Sequence, residues 1–141
     1  LVQLQGVLGE VPRDFYNMIE RDVLVCGTRK KGYKELVFSK LDELFGKNKE
    51  TDWNSVYGLP ISIIDGCCPD SADSYAEEWA NDRKVKVQHH PSKSGNYLKR
   101  NIEMVYKADM VIAFWDGYSY GTAHTIAWAT HLDKEVIIFF I

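Results

Sequence analysis

Five short apolar runs alternate with four stretches of helical periodicity along this chain, and any fold has to satisfy that alternation. The runs are Asp22–Gly27, Ile61–Asp65, Lys84–Gln88, Met110–Phe114 and Glu135–Ile141. Between them, residues from about 33 to 45 place Leu36, Val37, Leu41 and Leu44 at core-facing spacing. Ala72, Tyr75, Ala76, Trp79 and Ala80 follow the i, i+3, i+4, i+7, i+8 pattern. The stretch 96–107 reads as a helix expected to bury Leu98, Ile102 and Val105, and 122–131 carries Ile126, Ala127 and Ala129. Most of the runs lack polar alternation, as strands of a parallel sheet do when helices cover both faces. With right-handed crossovers this predicts an α/β, Rossmann-like, doubly wound sheet of about five parallel strands flanked by helices. The third run departs from the rule, because its lysines alternate with valines, and it reads as the more exposed strand. The domain spans 22–141. Residues 1–21 form an extension in which Phe15, Met18 and Ile19 after Pro12 read as a short helix, covering a sheet edge or serving as an oligomer contact.

In such sheets a ligand sits outside the carboxyl ends of the strands, at the topological switch point. The candidate residues fall at those ends. Strand one ends in Gly27-Thr28-Arg29, with a planar fork and a hydroxyl suited to phosphate. The G-x-x-x-x-G-K-[ST] spacing of a Walker loop is missing. Strand two ends in Asp65-Gly66-Cys67-Cys68-Pro69-Asp70-Ser71, and Asp73 follows in the first turn of a helix, where helix polarity or a ribose hydroxyl would equally explain a carboxylate. Arg100 lies near the start of the next helix, opposing its dipole at a cost that a bound anion would offset. After strand four, Asp116-Gly117 opens a loop that closes on Gly121-Thr122. There Gly121 permits close approach of a ligand, and Thr122 reads as a helix cap able to donate to a phosphate oxygen. Trp115, Tyr118 and Tyr120 are candidates to stack on a base, and Trp53 and Tyr57 in the polar loop 47–60 read as packing residues first, and as a lid or a base-stacking platform second.

Bulk properties narrow the partners. The chain has 141 residues, net charge −3 and pI near 5.8, so no overall basic field draws a polyphosphate backbone. Nucleic acid is therefore disfavoured, despite the small basic set Lys30, Lys31, Lys99 and Arg100. No apolar run approaches the roughly 18 residues of a membrane span. Leu1–Glu10 lack the basic and apolar segments of a signal peptide, and both chain ends are compatible with trimming of a longer protein. Cys26, Cys67 and Cys68 match no disulfide framework and no zinc spacing. They read as reduced, non-catalytic thiols of a cytoplasmic protein. His89 and His90, as sequence neighbours, point apart and make a poor metal pair, so neither a metal nor a cofactor is expected.

Several of these segments, in this order, resemble the SLOG superfamily. That group includes the Lonely-guy phosphoribohydrolases and the DprA-like DNA-processing proteins. Gly27-Thr28-Arg29 is similar to its G-[SG]-R opening, and Asp65 to Asp73 to the G-G-A-x-G-A-D segment of its small YspA-like branch. Tyr97-Leu98-Lys99-Arg100-Asn101 stands at the place of that branch's I-R-N, and Asp116 to Thr122 at that of P-G-G-x-G-T. The resemblance covers about 22–141. It implies a nucleotide or nucleotide-derived ligand, ADP-ribose-like compounds among them, and a homo-oligomer built through helices beside the sheet.

One position departs from the pattern. Lonely-guy enzymes, and nucleoside 2-deoxyribosyltransferases with a related loop, carry a glutamate where this chain has Thr125. A threonine cannot supply the carboxylate that cleavage of an N-glycosidic bond requires. The sequence therefore favours a nucleotide sensor or sequestering protein, with Gly27, Thr28, Arg29, Gly66, Asp73, Arg100, Asp116, Gly117, Gly121 and Thr122 as ligand-binding residues. The alternative is an N-glycosidic hydrolase using Asp116 or Asp73 as a non-standard carboxylate.

Overall fold

The computed structural model describes residues 20–46, 55–93 and 95–141. The predicted N-terminal helix and Trp53 lie outside them. Five strands, β1 (Arg21–Gly27), β2 (Ile61–Asp65), β3 (Lys86–His89), β4 (Met110–Trp115) and β5 (Glu135–Phe140), form one sheet in the order β3-β2-β1-β4-β5. Every pairing is parallel. Four helices connect them: α1 (Lys34–Phe45), α2 (Ala72–Asp82), α3 (Tyr97–Lys107) and α4 (Tyr120–His131). This is the doubly wound, Rossmann-like α/β domain that the alternation predicts.

The two-residue period of the strands sorts the core into two layers. Val23, Val25, Ile63, Ile112 and Phe114 face α1 and α2, where they meet Val37, Leu41, Phe45, Ala76 and Trp79. Leu24, Cys26, Ile64, Val111 and Ala113 face α3 and α4, against Met104, Val105 and Ala129. The register aligns Leu24 with Ile64 on one side and with Val111 on the other, so each layer is continuous across the sheet. Asp42 of α1 locks that helix to α2 by accepting from Trp79 Nε1 at 2.9 Å and from both Arg83 Nε and Nη2, at 2.8 and 2.9 Å. Tyr57 packs beside Phe45 and Arg21 and donates to Glu135, the packing role expected of it.

The edges differ in character. β3 keeps its lysine outward, whereas the continuously apolar β5 also lies at an edge, with Val136–Phe139 half-buried and Phe140 exposed. No helix among the described residues is long and apolar enough to cross a membrane.

Between β1 and β4 the connections diverge to opposite faces, which makes their carboxyl ends the switch point of the sheet. The loops after β1, β2 and β4 and the N-termini of three helices converge there.

Candidate functional site

A cavity of about 300 Å³ opens at the switch point. Of the residues expected from sequence, Gly27, Thr28, Arg29, Asp73, Arg100, Gly121 and Thr122 line it, and Thr125 does so too. Asp116 and Gly117 do not, and Gly66 sits just behind the lining, bonded to Asp73 and Arg100.

At the end of β1 the chain is fixed by neighbours on both sides. A Cβ on Gly27 would lie 2.7 Å from Phe114 O and 2.8 Å from Ala72 Cβ, so the glycine serves packing between β4 and α2. Tyr33 Oη donates to Thr28 O and accepts from Ala72 N, tying the β1 loop to the start of α2. Thr28 is buried and clasps the opposite loop, its Oγ1 accepting from Asp116 N at 3.1 Å and hydrogen-bonded with Ser119 Oγ at 3.0 Å. Its hydroxyl is thus engaged within the protein, whereas Arg29 is exposed at the rim.

The β2 loop brings charge inside. Asp73, in the first turn of α2, accepts from Gly66 N at 2.7 Å and from Ser71 Oγ at 3.3 Å. Burial, helped by the nearby Asp65 carboxylate, pushes its pKa up to about 6, against the lowering pull of those hydrogen bonds and of Arg100. Arg100 is buried as well. Its Nη1 donates to Gly66 O at 2.5 Å, its Nη2 reaches Asn101 Oδ1 at 3.3 Å, and its guanidinium lies over the Tyr97 ring at 5.3 Å. Among the described residues its Nε has no hydrogen-bond partner. With Arg100 buried, the basic set of Lys30, Lys31, Lys99 and Arg100 does not form one exposed track. Cys67 is exposed and Cys68 half-buried, unlike the packed Cys26. Partial burial and a bond to Asp65 push the Cys67 thiol up to about 11, opposite to an activated nucleophile.

The β4 loop is organised by Asp116. Its Oδ1 accepts from Tyr118 N and Ser119 N, both at 2.8 Å, and from Ser119 Oγ at 3.0 Å, and these bonds lower its pKa to about 2. Helix α4 starts earlier than the sequence predicts, at Tyr120, with Ser119 as its N-cap residue. Thr122 is therefore a buried first-turn residue and not the cap. Gly121 lies within the helix with open space around the position of a Cβ. The N–H groups of Tyr120, Gly121 and Thr122 head the helix, and Ala123 N is the first to find an intrahelical acceptor, Ser119 O. Thr125 lines the cavity one turn on, its Oγ1 donating to Gly121 O at 3.1 Å.

The aromatic expectations change. Tyr118 and Tyr120 are almost wholly exposed, and Trp115 donates to Ser119 O and packs against Phe140, so none of the three lines the cavity. Tyr97 lines it instead, together with Asn101, Ser71, Cys68, Met104 and Ser119. Helical spacing was a signal for the first two, since Tyr97 and Arg100 lie one turn apart on α3 and Asn101 adjoins them.

No family model and no curated protein matches this chain. The site is read from its own geometry.

Proposed function

We propose that this cavity binds a nucleotide or nucleotide-derived ligand, ADP-ribose-like compounds included, and that the chain is a SLOG-type sensor or sequestering protein. The observation that carries this reading is the meeting of Arg29, Arg100 and the first turn of α4 in one cavity at the switch point. Two guanidinium groups and a set of helix N-terminal N–H groups form an anion cradle. Asp73 stands beside them as an acceptor for ribose hydroxyls, and Tyr97 offers the ring on which a base stacks. The volume lies at the small end of the range of about 300–1,000 Å³ for small-molecule sites. Thr125 keeps the wall uncharged where related enzymes place their glutamate, which supports binding without turnover.

The test is mass spectrometry of small molecules after incubating the protein with nucleoside mono- and triphosphates, NAD and ADP-ribose derivatives. We expect one class of compound to be retained intact. The Arg29→Ala, Thr122→Val double variant should lose about 100-fold in affinity, as expected for removing one charged and one neutral hydrogen bond. Unchanged affinity in that variant would falsify the proposed pocket.

A second reading, an N-glycosidic hydrolase, is favoured by one feature. Asp73 is a buried carboxyl in the cavity wall whose pKa burial pushes up to about 6, the direction a general acid for a departing base needs. Free base released by the wild type and lost in Asp73→Asn, but kept in Asp116→Asn, would establish it.

A further inference from the structure

On the far side of the β2 loop from the cavity lining, three groups of different chemistry meet. Parallel pairing of β2 with β3 sets His89 directly beside Asp65, so that both side chains leave the sheet on the same face. Two residues beyond Asp65 the backbone turns through a left-handed conformation at Cys67, φ +60°, which is uncommon for a residue with a side chain. That turn brings the thiol back over the strand end. Cys67 Sγ then lies 3.3 Å from Asp65 Oδ1 and 3.6 Å from His89 Nδ1, and those two are 3.4 Å apart.

This triangle has the dimensions of one face of a metal tetrahedron. With a metal–sulfur bond of about 2.3 Å and metal–nitrogen and metal–oxygen bonds of about 2.0 Å, tetrahedral angles separate sulfur from the other donors by about 3.5 Å. The same angles separate nitrogen from oxygen by about 3.3 Å. The second observation concerns Asp65 itself. It is wholly buried, and among the described residues its Oδ2 has no hydrogen-bond partner. Among the described residues the sole cationic group within ion-pair distance of it is His89, when protonated. A buried carboxylate left in that state calls for a cation.

We propose that Asp65 Oδ1, Cys67 Sγ and His89 Nδ1 bind one divalent ion of the zinc class, with its fourth position open. The mixed oxygen, nitrogen and sulfur donor set suits zinc or cobalt over magnesium or calcium, which take oxygen ligands. Loading releases the Cys67 thiol proton to solvent, leaving thiolate, carboxylate and neutral imidazole around the ion. The Nε2 of His89 then faces Glu77, whose Oε1 is 3.9 Å away, as the outer carboxylate that orients a metal-bound imidazole. In sequence His89 has only His90 beside it as a second metal-ligating side chain. The partners are instead on β2 and in its loop, which strand pairing supplies. The site is independent of what the cavity binds.

Cobalt(II) is the probe, titrated into the full chain near neutral pH under reducing conditions. We expect one equivalent to give a thiolate-to-cobalt charge-transfer band in the near ultraviolet, with the intense visible bands of a four-coordinate ion, and zinc to displace it. Cys67→Ser should abolish the charge-transfer band. His89→Ala should weaken binding by more than the roughly 10–100-fold typical of losing an outer-sphere partner. Cys68→Ser should keep the band, because Cys68 Sγ is turned toward Gly66 O and Arg100. No band in the wild type, or the same band in Cys67→Ser, overturns the site and leaves an ordinary histidine–carboxylate contact. Should a variant fail to fold, alkylation of Cys67 in the Cys68→Ser background decides. Zinc slowing that reaction supports the site, and equal rates with and without zinc overturn it.

Discussion

The loops after β2 and β4 flank the end of β1, and each opens with the same dipeptide, Asp65-Gly66 and Asp116-Gly117, yet they are built in opposite ways. The β2 loop turns its two ends inward, at Gly66 and at Ser71. Asp65 and Asp73 are buried there, and Gly66 is required for space, because a Cβ would stand 2.9 Å from both Arg100 Cζ and Asp73 Oδ2. The β4 loop is a surface turn that satisfies itself. Asp116 spends its Oδ1 on the loop's own donors, and Gly117 is required for its dihedral, φ +84°, with open space around the missing Cβ. The same two letters encode a charged, crowded wall in one place and a self-bonded surface turn in the other. What differs is the element packed on top: α3 delivers Arg100 over the β2 loop, while the β4 loop lies next to solvent.

The largest expected effect is a contrast in pH dependence. Asp73 has its folded pKa raised to about 6, so its protonated form is favoured in the folded state, and stability falls as pH rises from about 4 through about 6. The loss is on the order of 3 kcal/mol, and Asp73→Asn should flatten this limb in chemical denaturation followed across that range. Asp116 has the opposite sign. Its folded pKa is lowered to about 2, so the stability it contributes is present above about pH 4 and is lost as pH falls toward 2, a limb that Asp116→Asn should flatten. Identical profiles for wild type and Asp73→Asn would mean that the carboxyl is not held as the fold indicates.

Next come the two glycines. Gly66→Ala should cost about 2 kcal/mol by forcing Arg100 and Asp73 apart, and it should also abolish ligand retention. Gly117→Ala should cost about 1 kcal/mol from backbone conformation alone, with ligand retention unchanged. Equal effects on binding from both would erase the distinction between wall and turn.

The smallest effect sharpens it further. Gly121 lies inside the first turn of α4 with free space around it, so Gly121→Ala should stabilise the ligand-free protein by about 0.5 kcal/mol in thermal unfolding. The added methyl would still occupy room at the anion cradle. Greater thermal stability together with weaker nucleotide retention is the expected pair of results, and improved retention would remove Gly121 from the site.

Strands and helices were legible in the sequence because their signal is local: apolar runs and i, i+3, i+4 spacing are written in adjacent residues. That the candidate residues would share one edge was legible for a topological reason, since parallel strands must send all their carboxyl ends to it. Arg29, Asp73, Arg100, Gly121 and Thr122 were thus placed together by their positions at strand ends and helix starts. The roles within that edge were not legible. Thr122 read as a cap until Ser119 took that place, and Asp116 read as a ligand group until its oxygen met its own loop. Tyr118 and Tyr120 lost the cavity to Tyr97 because α4 begins early and leaves both rings in solvent, and Trp115 because it ends β4 packed against Phe140. Asp65, Cys67 and His89 became a triangle only through pairing of β2 with β3. By itself the sequence determined an α/β sheet with a polar carboxyl edge, because periodicity and connection length are properties of the chain. The tertiary structure alone decided which carboxylate is buried, which arginine is held beneath the surface and which thiol meets an imidazole, because burial and charge pairing are set by elements far apart in sequence.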